Sequence, residues 1–326
     1  MLFRKNVLLA PYTSFRIGGP AEFFGEAKST QELCDALLFA KKEPMPITMI
    51  GGGQNVLIAD RGISGLVVVN RAKEILVKGT RIVADSGVTA GELVARATQE
   101  GLSGFSWAAG LPGTVGGCVF GNAGTFGVSF GDIVERVTLV TPEGNTEELL
   151  HNDCAFGYKT SIFKSIRKGS VIVSATLKLA KGDLQKIRKE VAQNIRWRTL
   201  HHPPYQSAGC MFKNPALEHY HRLDFDVVSH RHAHGSFVEG CLECGDAPRA
   251  WFRDRIPAGW LIDRSGLKGK RVGDALVSDK HANFIMNLGK ARAEDVVILA
   301  GIMKERVHRE FGVMLEEEVQ LLGFSS

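Results

Sequence analysis

Apolar residues recur at three- and four-residue intervals from Leu33 through Ala36, Leu37 and Ala40, the spacing of one buried helix face. Ser29-Thr30-Gln31-Glu32 stands before them as a capping box, and Pro44 and Pro46 end the run. The short apolar run Ile47 to Ile50 predicts a buried strand, and Leu66 to Val69 predicts another. Ile75 to Ser86 alternates as a hairpin would, turning at Lys78-Gly79. Thr89-Ala90-Gly91-Glu92 caps a second helix with Leu93, Val94 and Ala97 inward, and Gly101 closes it. Ile133 to Val140 and Glu147 to Leu150 predict strands joined by a turn at Pro142 to Asn145, and Val171 to Leu179 alternates as a further strand. Asp183 caps a helix carrying Leu184, Ile187, Val191 and Ile195. A last helix carries Val296, Val297, Ala300 and Val307 and ends at Phe311-Gly312, before a strand predicted over Val313 to Leu322. Helices mixed with hairpins, without regular βαβ alternation, predict an α+β fold. A change of composition near Gly182 predicts a domain boundary there.

Between Gly101 and Gly131 the periodicity fails. Ten of these thirty-one residues are glycine, against 37 in the 326 of the whole chain. Each glycine loses extra backbone entropy on ordering and packs no side chain, so neither helix nor strand is predicted. Trp107, Phe105, Leu111, Val115, Val119 and Phe120 exclude a solvated linker. The stretch predicts a place where bare backbone meets a phosphate-bearing or planar cofactor. Gly51-Gly52-Gly53-Gln54-Asn55, directly after the strand Ile47 to Ile50, predicts a second such place. Neither GxGxxG nor GxxxxGK[ST] occurs, so no Rossmann site or P-loop is indicated.

A net charge of +5 leaves room for an anionic small ligand, and no basic arm for nucleic acid is present. No apolar stretch reaches the length of a membrane span, and the apolar run after the basic N-terminus stops at Pro11, too short for a signal peptide. Six scattered cysteines do not make a disulfide framework. A cytoplasmic location is the expectation.

In chain order, Thr13-Ser-Phe-Arg-Ile-Gly-Gly19, Gly51-Gly-Gly-Gln-Asn55, Ala109-Gly-Leu-Pro-Gly-Thr-Val-Gly-Gly117 with Asn122-Ala-Gly124, and Tyr158-Lys-Thr-Ser-Ile-Phe163 form one series. Ser207-Ala-Gly-Cys-Met-Phe-Lys-Asn-Pro215, Ala258-Gly-Trp-Leu-Ile-Asp263, Ser278-Asp-Lys-His-Ala-Asn-Phe284 and Leu315-Glu-Glu-Glu-Val319 continue it. In these motifs the chain resembles the UDP-N-acetylenolpyruvoylglucosamine reductase family over nearly its whole length. The resemblance implies an FAD-binding domain of the vanillyl-alcohol-oxidase (PCMH) type over 1–182, in subdomains of about 1–70 and 71–182, with 320–326 returning to it. It implies an α+β substrate-binding domain over 183–319. It also implies FAD as cofactor, NADPH as co-substrate and UDP-N-acetylglucosamine enolpyruvate as substrate; a monomer is the expectation, though no residue pattern sets the oligomeric state.

The same resemblance assigns site residues. Cys210 stands where the family has its proton-donating serine, and a thiol is a better acid than a hydroxyl. Lys159 stands where the family usually has arginine, keeping the charge without the bidentate fork. Glu318 matches the catalytic glutamate. In the predicted last strand it shares a face with Glu316, while Glu317 points away. Tyr158, Lys213 and Asn214 match substrate contacts, and Arg198 is a diphosphate candidate that could equally be a helix-surface arginine. His281 lies where the family can approach the flavin, and could equally be structural. The expected FAD clasp comprises Gly51, Gly52, Gly53, Gln54, Asn55 and Val56, then Gly110, Leu111, Pro112, Gly113, Thr114, Gly116 and Gly117, with Asn122, Gly124 and Ile172 completing its wall.

Residues 216–256 carry five of the ten histidines and Cys241-Leu-Glu-Cys244, a pattern that could supply zinc ligands. A polar surface insertion without metal is the preferred reading, since only one CxxC is present and the family requires no metal. Two alternatives to the reductase stand beside it: a flavin- or UDP-sugar-binding relative without turnover, and another flavin oxidoreductase of the same fold.

Overall fold

In the computed structural model, residues 1–167, 169–216 and 255–324 are described. The fold is α+β. Ser29 accepts from the Glu32 N–H at the start of the helix Thr30–Lys42, and Thr89 and Glu92 form the reciprocal capping box of the helix Ala90–Gln99. Gly101 and Gly312 take φ of +63° and +70° just past two helix ends, a conformation that suits glycine.

A four-stranded sheet runs in the order Arg4–Leu8, Pro20–Ala27, Ile63–Asn70, Ile47–Ile50. Its first pairing is antiparallel and the other two are parallel. The helix Thr30–Lys42 makes the crossover and buries Leu33, Ala36, Leu37 and Ala40 against Leu66 and Val68. Val67 and Val69 pack on the opposite face with Leu9, Phe24 and Ile50. A strand buried on both faces reads as a continuous apolar run, which is how Leu66 to Val69 appears in the sequence.

The second sheet is antiparallel throughout, in the order Thr146–Leu150, Val134–Val140, Val171–Lys178, Arg81–Asp85, Ile75–Lys78. Leu93, Val94 and Ala97 of the helix Ala90–Gln99 share its core with Phe105, Trp107 and Phe130, whose rings meet edge to face. The third sheet, Arg271–Val272, Ala275–Val277 and Ile285–Asn287, packs on the helix Ala293–Phe311. Phe15, Ile17 and Leu57 from the first part of the chain join that core.

Three expectations need correction. No strand covers Val313 to Val319: the strand is only Gln320–Leu322, parallel to Val56–Ile58. The alternation of Val313, Leu315 and Val319 is real, since all three are buried, but the segment has only an isolated bridge, Phe212 to Glu317. The glycine-rich stretch does contain a helix, Val115–Gly121. Tertiary bonds hold its first turn, from the Val115 and Gly116 N–H groups to the carbonyls of Val88 and Ser86, each at 2.8 Å. In the helix Leu184–His201, Ile195 is 47% exposed and only Ile187 and Arg198 are buried.

Candidate active site

The two glycine-rich segments converge. A side chain at Gly51 would collide with Thr114 Oγ1, and one at Gly53, where φ is +68°, would collide with the Tyr12 carbonyl. Backbone from two distant segments therefore passes where no Cβ could stand. Gly110 and Gly113 take φ of +74° and +122°, carrying the chain through Leu111 and Pro112 to Thr114 at the start of the helix Val115–Gly121. Gly116 lies against Ser86, and Gly117 meets only Thr114 Oγ1. Three buried polar atoms, Gln54 Oε1 and Thr114 Oγ1 on these segments and Trp107 Nε1 in the adjoining core, make no hydrogen bond. Such groups are rare in a finished interior, and a bound ligand's polar atoms are one way of satisfying them.

The clasp is joined to a charged wall. Asn122 ends the helix at φ +45°. Its side chain accepts from the Gly131 N–H and donates to the Gly157 carbonyl, both at 2.8 Å. Gly157 and Thr160 exchange two backbone bonds around a tight turn with Tyr158 and Lys159 at its tip. Lys159 stands at φ +54°, an arrangement that costs a non-glycine residue about 1–2 kcal/mol. Two bonds brace the turn: Lys164 Nζ donates to the Lys159 carbonyl, and Ser161 Oγ donates to the Phe120 carbonyl, both at 2.7 Å.

Lys159 Nζ lies 2.8 Å from Glu318 Oε1, with the two side chains only 20% and 17% exposed. Burial opposes the Lys159 charge, but Glu318, by charge and by hydrogen bond, outweighs it, and Cys210 and Tyr158 add to the same effect. The ammonium is held above its ordinary pKa. Lys164 goes the other way: burial lowers it, Lys213 and Lys159 lower it further, and Glu318 offsets part. Burial raises the Tyr158 hydroxyl, against the hydrogen bond it accepts from the Asn214 N–H at 3.0 Å. Cys118, buried behind Lys159, is pushed up to about 12 by burial.

Glu318 reaches this place through backbone bonds. Its N–H donates to the Met211 carbonyl at 2.8 Å, and its carbonyl accepts from Asn55 Nδ2 at 3.0 Å. Met211 adjoins Cys210, so one short strip carries the thiol and registers the carboxylate. Glu316 and Glu317 pair elsewhere, with Lys213 at 3.2 Å and Lys304 at 2.9 Å. The three glutamates thus serve three separate lysines.

The structure brings Lys159, Cys210, Glu318 and Tyr158 together. It gives Asn55 and Asn122 side-chain work within the protein, bridging clasp to wall. Asn214 Oδ1 accepts from Ala258 N–H at 2.9 Å, at the start of the helix Ala258–Arg264. Arg198 is 7% exposed and so is not a surface arginine; it donates to the carbonyls of Ala109 and Trp107 at 2.9 and 3.3 Å. Gly124 pairs with Ser129 in a two-strand turn, Ile172 is buried in the second sheet, and Val56 opens the strand beside Gln320–Leu322. His281 is buried, and its Nδ1 accepts from the Asn283 N–H. Lys164 and Arg255, whose guanidinium lies 3.7 Å over the Tyr158 ring, have no signal in composition or periodicity. Their roles depend on partners only the fold supplies.

The five clustered histidines, Cys241 and Cys244 lie outside the described residues. Among the described residues no group of three or more metal-binding side chains converges, and no helix is long and apolar enough to cross a membrane.

Comparison with known proteins agrees with this geometry. A family model for an FAD binding domain matches residues 21–150, and one for the C-terminal domain of UDP-N-acetylenolpyruvoylglucosamine reductase matches residues 201–322. A protein of that name from Synechococcus sp. (strain JA-3-3Ab) is 34% identical over 98% of this chain and 91% of its own length. One from Latilactobacillus sakei is 33% identical over 99% and 94%. The crystal structure of the Thermus caldophilus reductase superposes with a TM-score of 0.73 at 31% identity, covering 98% of this chain and all of that one.

Proposed function

We propose the reaction from one premise: this chain belongs to the UDP-N-acetylenolpyruvoylglucosamine reductase family. It reduces UDP-N-acetylglucosamine enolpyruvate to UDP-N-acetylmuramate at the expense of NADPH, in the synthesis of peptidoglycan precursors. FAD fits the residues present: Gln54, Thr114 and Trp107 keep buried polar atoms without partners in the chain, and at Gly117 an added Cβ would meet nothing nearer than Thr114 Oγ1 at 3.8 Å, so backbone there is open to close approach. Gly51 to Val56 and Gly110 to Gly117 would hold it, with Asn122, Gly124 and Ile172 shaping the wall. When bound, FAD supplies hydride transfer from NADPH to the methylene carbon of the enolpyruvyl ether.

The chain's own groups do the rest. Lys159 lies beside the substrate carboxylate, where a fixed ammonium in a water-poor site stabilises the negative charge that develops as hydride arrives. Glu318 holds that ammonium in place and keeps it charged. Cys210 gives its proton to the carbon next to the carboxylate, completing the saturated ether, and regains a proton from solvent. Tyr158, Lys213 and Asn214 hold the nucleotide sugar. Arg198 acts through the clasp, by fixing the carbonyls of Trp107 and Ala109.

In this reading, residues 1–182 form the FAD domain in parts 1–70 and 71–182, with 320–326 returning, and 183–319 bind substrate. Strand membership supports it: the first sheet draws on 4–70 and the second on 75–178, and Gln320–Leu322 pairs with Val56–Ile58. The protein acts as a monomer in the cytoplasm, without nucleic acid or membrane.

The observation that carries the reading is the shielded Lys159–Glu318 pair, tied by the Glu318 N–H to Met211 beside Cys210. The test follows NADPH oxidation by the FAD-loaded protein with and without UDP-N-acetylglucosamine enolpyruvate. Substrate-dependent oxidation is expected, and its absence in a folded yellow protein would overturn the reading.

A further inference from the structure

We propose that Asn283 is a positioning residue for the reaction: its carboxamide sets where Cys210 stands relative to Lys159 and Glu318. This rests on Cys210 as proton donor. Residues 210–213 form a short extended strip between two neighbours. On one side the Lys213 N–H donates to the Glu316 carbonyl at 2.9 Å, and the Met211 carbonyl accepts from the Glu318 N–H at 2.8 Å. These bonds flank Phe212, which stands opposite Glu317, so the peptide groups of Phe212 face the other neighbour.

On that second side no regular strand continues. Cys210 bridges Phe284, and the Met211 N–H donates to the Asn283 carbonyl at 2.7 Å. At Phe212 the place of a partner peptide is taken by the side chain of Asn283. Oδ1 accepts from the Phe212 N–H at 3.0 Å, and Nδ2 donates to the Phe212 carbonyl at 2.8 Å. A carboxamide carries the same donor and acceptor as a peptide group, which is why one side chain can stand in for a strand. The Asn283 N–H donates to His281 Nδ1 at 3.3 Å, so both its backbone groups and both ends of its amide are engaged.

Asn283 and Phe212 are 2% and 1% exposed, so water cannot replace these bonds. Without the amide, the buried Phe212 N–H and carbonyl lose their partners, and on this side the strip keeps only the Met211 N–H bond to the Asn283 carbonyl and the Cys210–Phe284 bridge. The carboxylate moves with it, because Met211 also holds the Glu318 N–H. A misplacement of about 1 Å from reacting geometry slows a step about 100-fold. The thiol acts only after hydride reaches the substrate, so a displaced strip slows that half of the cycle and spares the reduction by NADPH.

The experiment uses the FAD-loaded protein under anaerobic stopped flow, with Asn283→Asp, which keeps the acceptor and loses the donor, and Asn283→Leu, which loses both. Flavin reduction by NADPH is expected within about twofold of native, while reoxidation by UDP-N-acetylglucosamine enolpyruvate slows about 10- to 100-fold. The solvent deuterium effect on reoxidation should rise. Iodoacetamide labelling of Cys210, read by mass spectrometry against the half-buried Cys34 on the first helix, should change in rate even without substrate. If the leucine variant fails to bind FAD, the aspartate variant decides. Native reoxidation, or equal slowing of both half-reactions, in a folded variant overturns the proposal. Cys210→Ala, run beside them, separates the two claims. If it reoxidises at the native rate, the proton-donor reading falls and this proposal with it. If it is slow while Asn283→Asp is native, only the role of Asn283 falls.

Discussion

The clasp and the charged wall are built on opposite principles. At Gly51 and Gly53 the requirement is the absence of a side chain, because backbone or Thr114 already occupies the place of a Cβ. At Lys159, Cys210 and Glu318 the requirement, in the proposed reaction, is a charge, a proton and a partner. Each can be met by more than one residue type, and by the resemblance Lys159 and Cys210 stand where the family usually carries another residue. Shape is therefore rigidly encoded, and chemistry is encoded by kind. Asn55 and Asn122 couple the regions, since each extends an amide from the clasp to the wall.

Substitutions can break this contrast. The largest effect is expected for Gly53→Ala, which combines φ +68° with a collision against the Tyr12 carbonyl. We expect a loss of more than about 3 kcal/mol in chemical denaturation and no retained FAD absorbance. Gly79→Ala is the control: φ is +63° but nothing lies within 4 Å of the added carbon. It should cost only about 1–2 kcal/mol and keep the yellow colour. Equal losses in the two variants would show that conformation alone, not close approach, shapes the clasp.

Lys159→Ala should retain FAD yet lower kcat/KM about 100- to 1,000-fold in steady-state assays, the range for removing one stabilising group. Retention of activity would move the electrostatic role to Lys164 or Lys213. The pair also predicts a pH dependence. The folded pKa of Lys159 is raised, so its contribution to stability is fully present below the unfolded value and is lost as pH rises through the folded one. Alkaline unfolding curves of native protein and Lys159→Met should therefore converge above about pH 10.5.

The smallest effect belongs to Glu92, which caps the helix packed behind the clasp and is lowered to about 2, chiefly by its hydrogen bond with Lys73. Because the side chain is 44% exposed, solvent screens the pair, and Glu92→Gln should cost only about 0.5–1 kcal/mol at neutral pH. A depressed carboxyl stabilises above its unfolded pKa of 4.5 and loses that contribution as pH falls through about 2. Urea titrations at pH 7 and pH 2 should show the difference shrink.

What the sequence discloses follows the same division. The caps at Ser29 and Thr89 and the doubly buried run Leu66 to Val69 are local patterns with local causes, and they are legible. The helix Val115–Gly121 is not, because it depends on carbonyls of Val88 and Ser86 that only the fold brings near. The segment Val313 to Val319 has the alternation of a strand but only an isolated bridge at Glu317, so period alone misleads. The site residues are separated by 51 and 108 positions along the chain, and only the family's motifs put Lys159, Cys210 and Glu318 in one group. Lys164 and Asn283 bond to backbone, so their side chains carry no sign of their partners.

The central claim is that Cys210 acts in the oxidative half of the cycle only. Anaerobic stopped flow on FAD-loaded Cys210→Ala tests it most directly. Flavin reduction by NADPH should proceed within about twofold of the native rate, and reoxidation by UDP-N-acetylglucosamine enolpyruvate should fall at least about 100-fold, the scale of a lost general acid. Reoxidation at the native rate would contradict the account, and so would equal slowing of both phases.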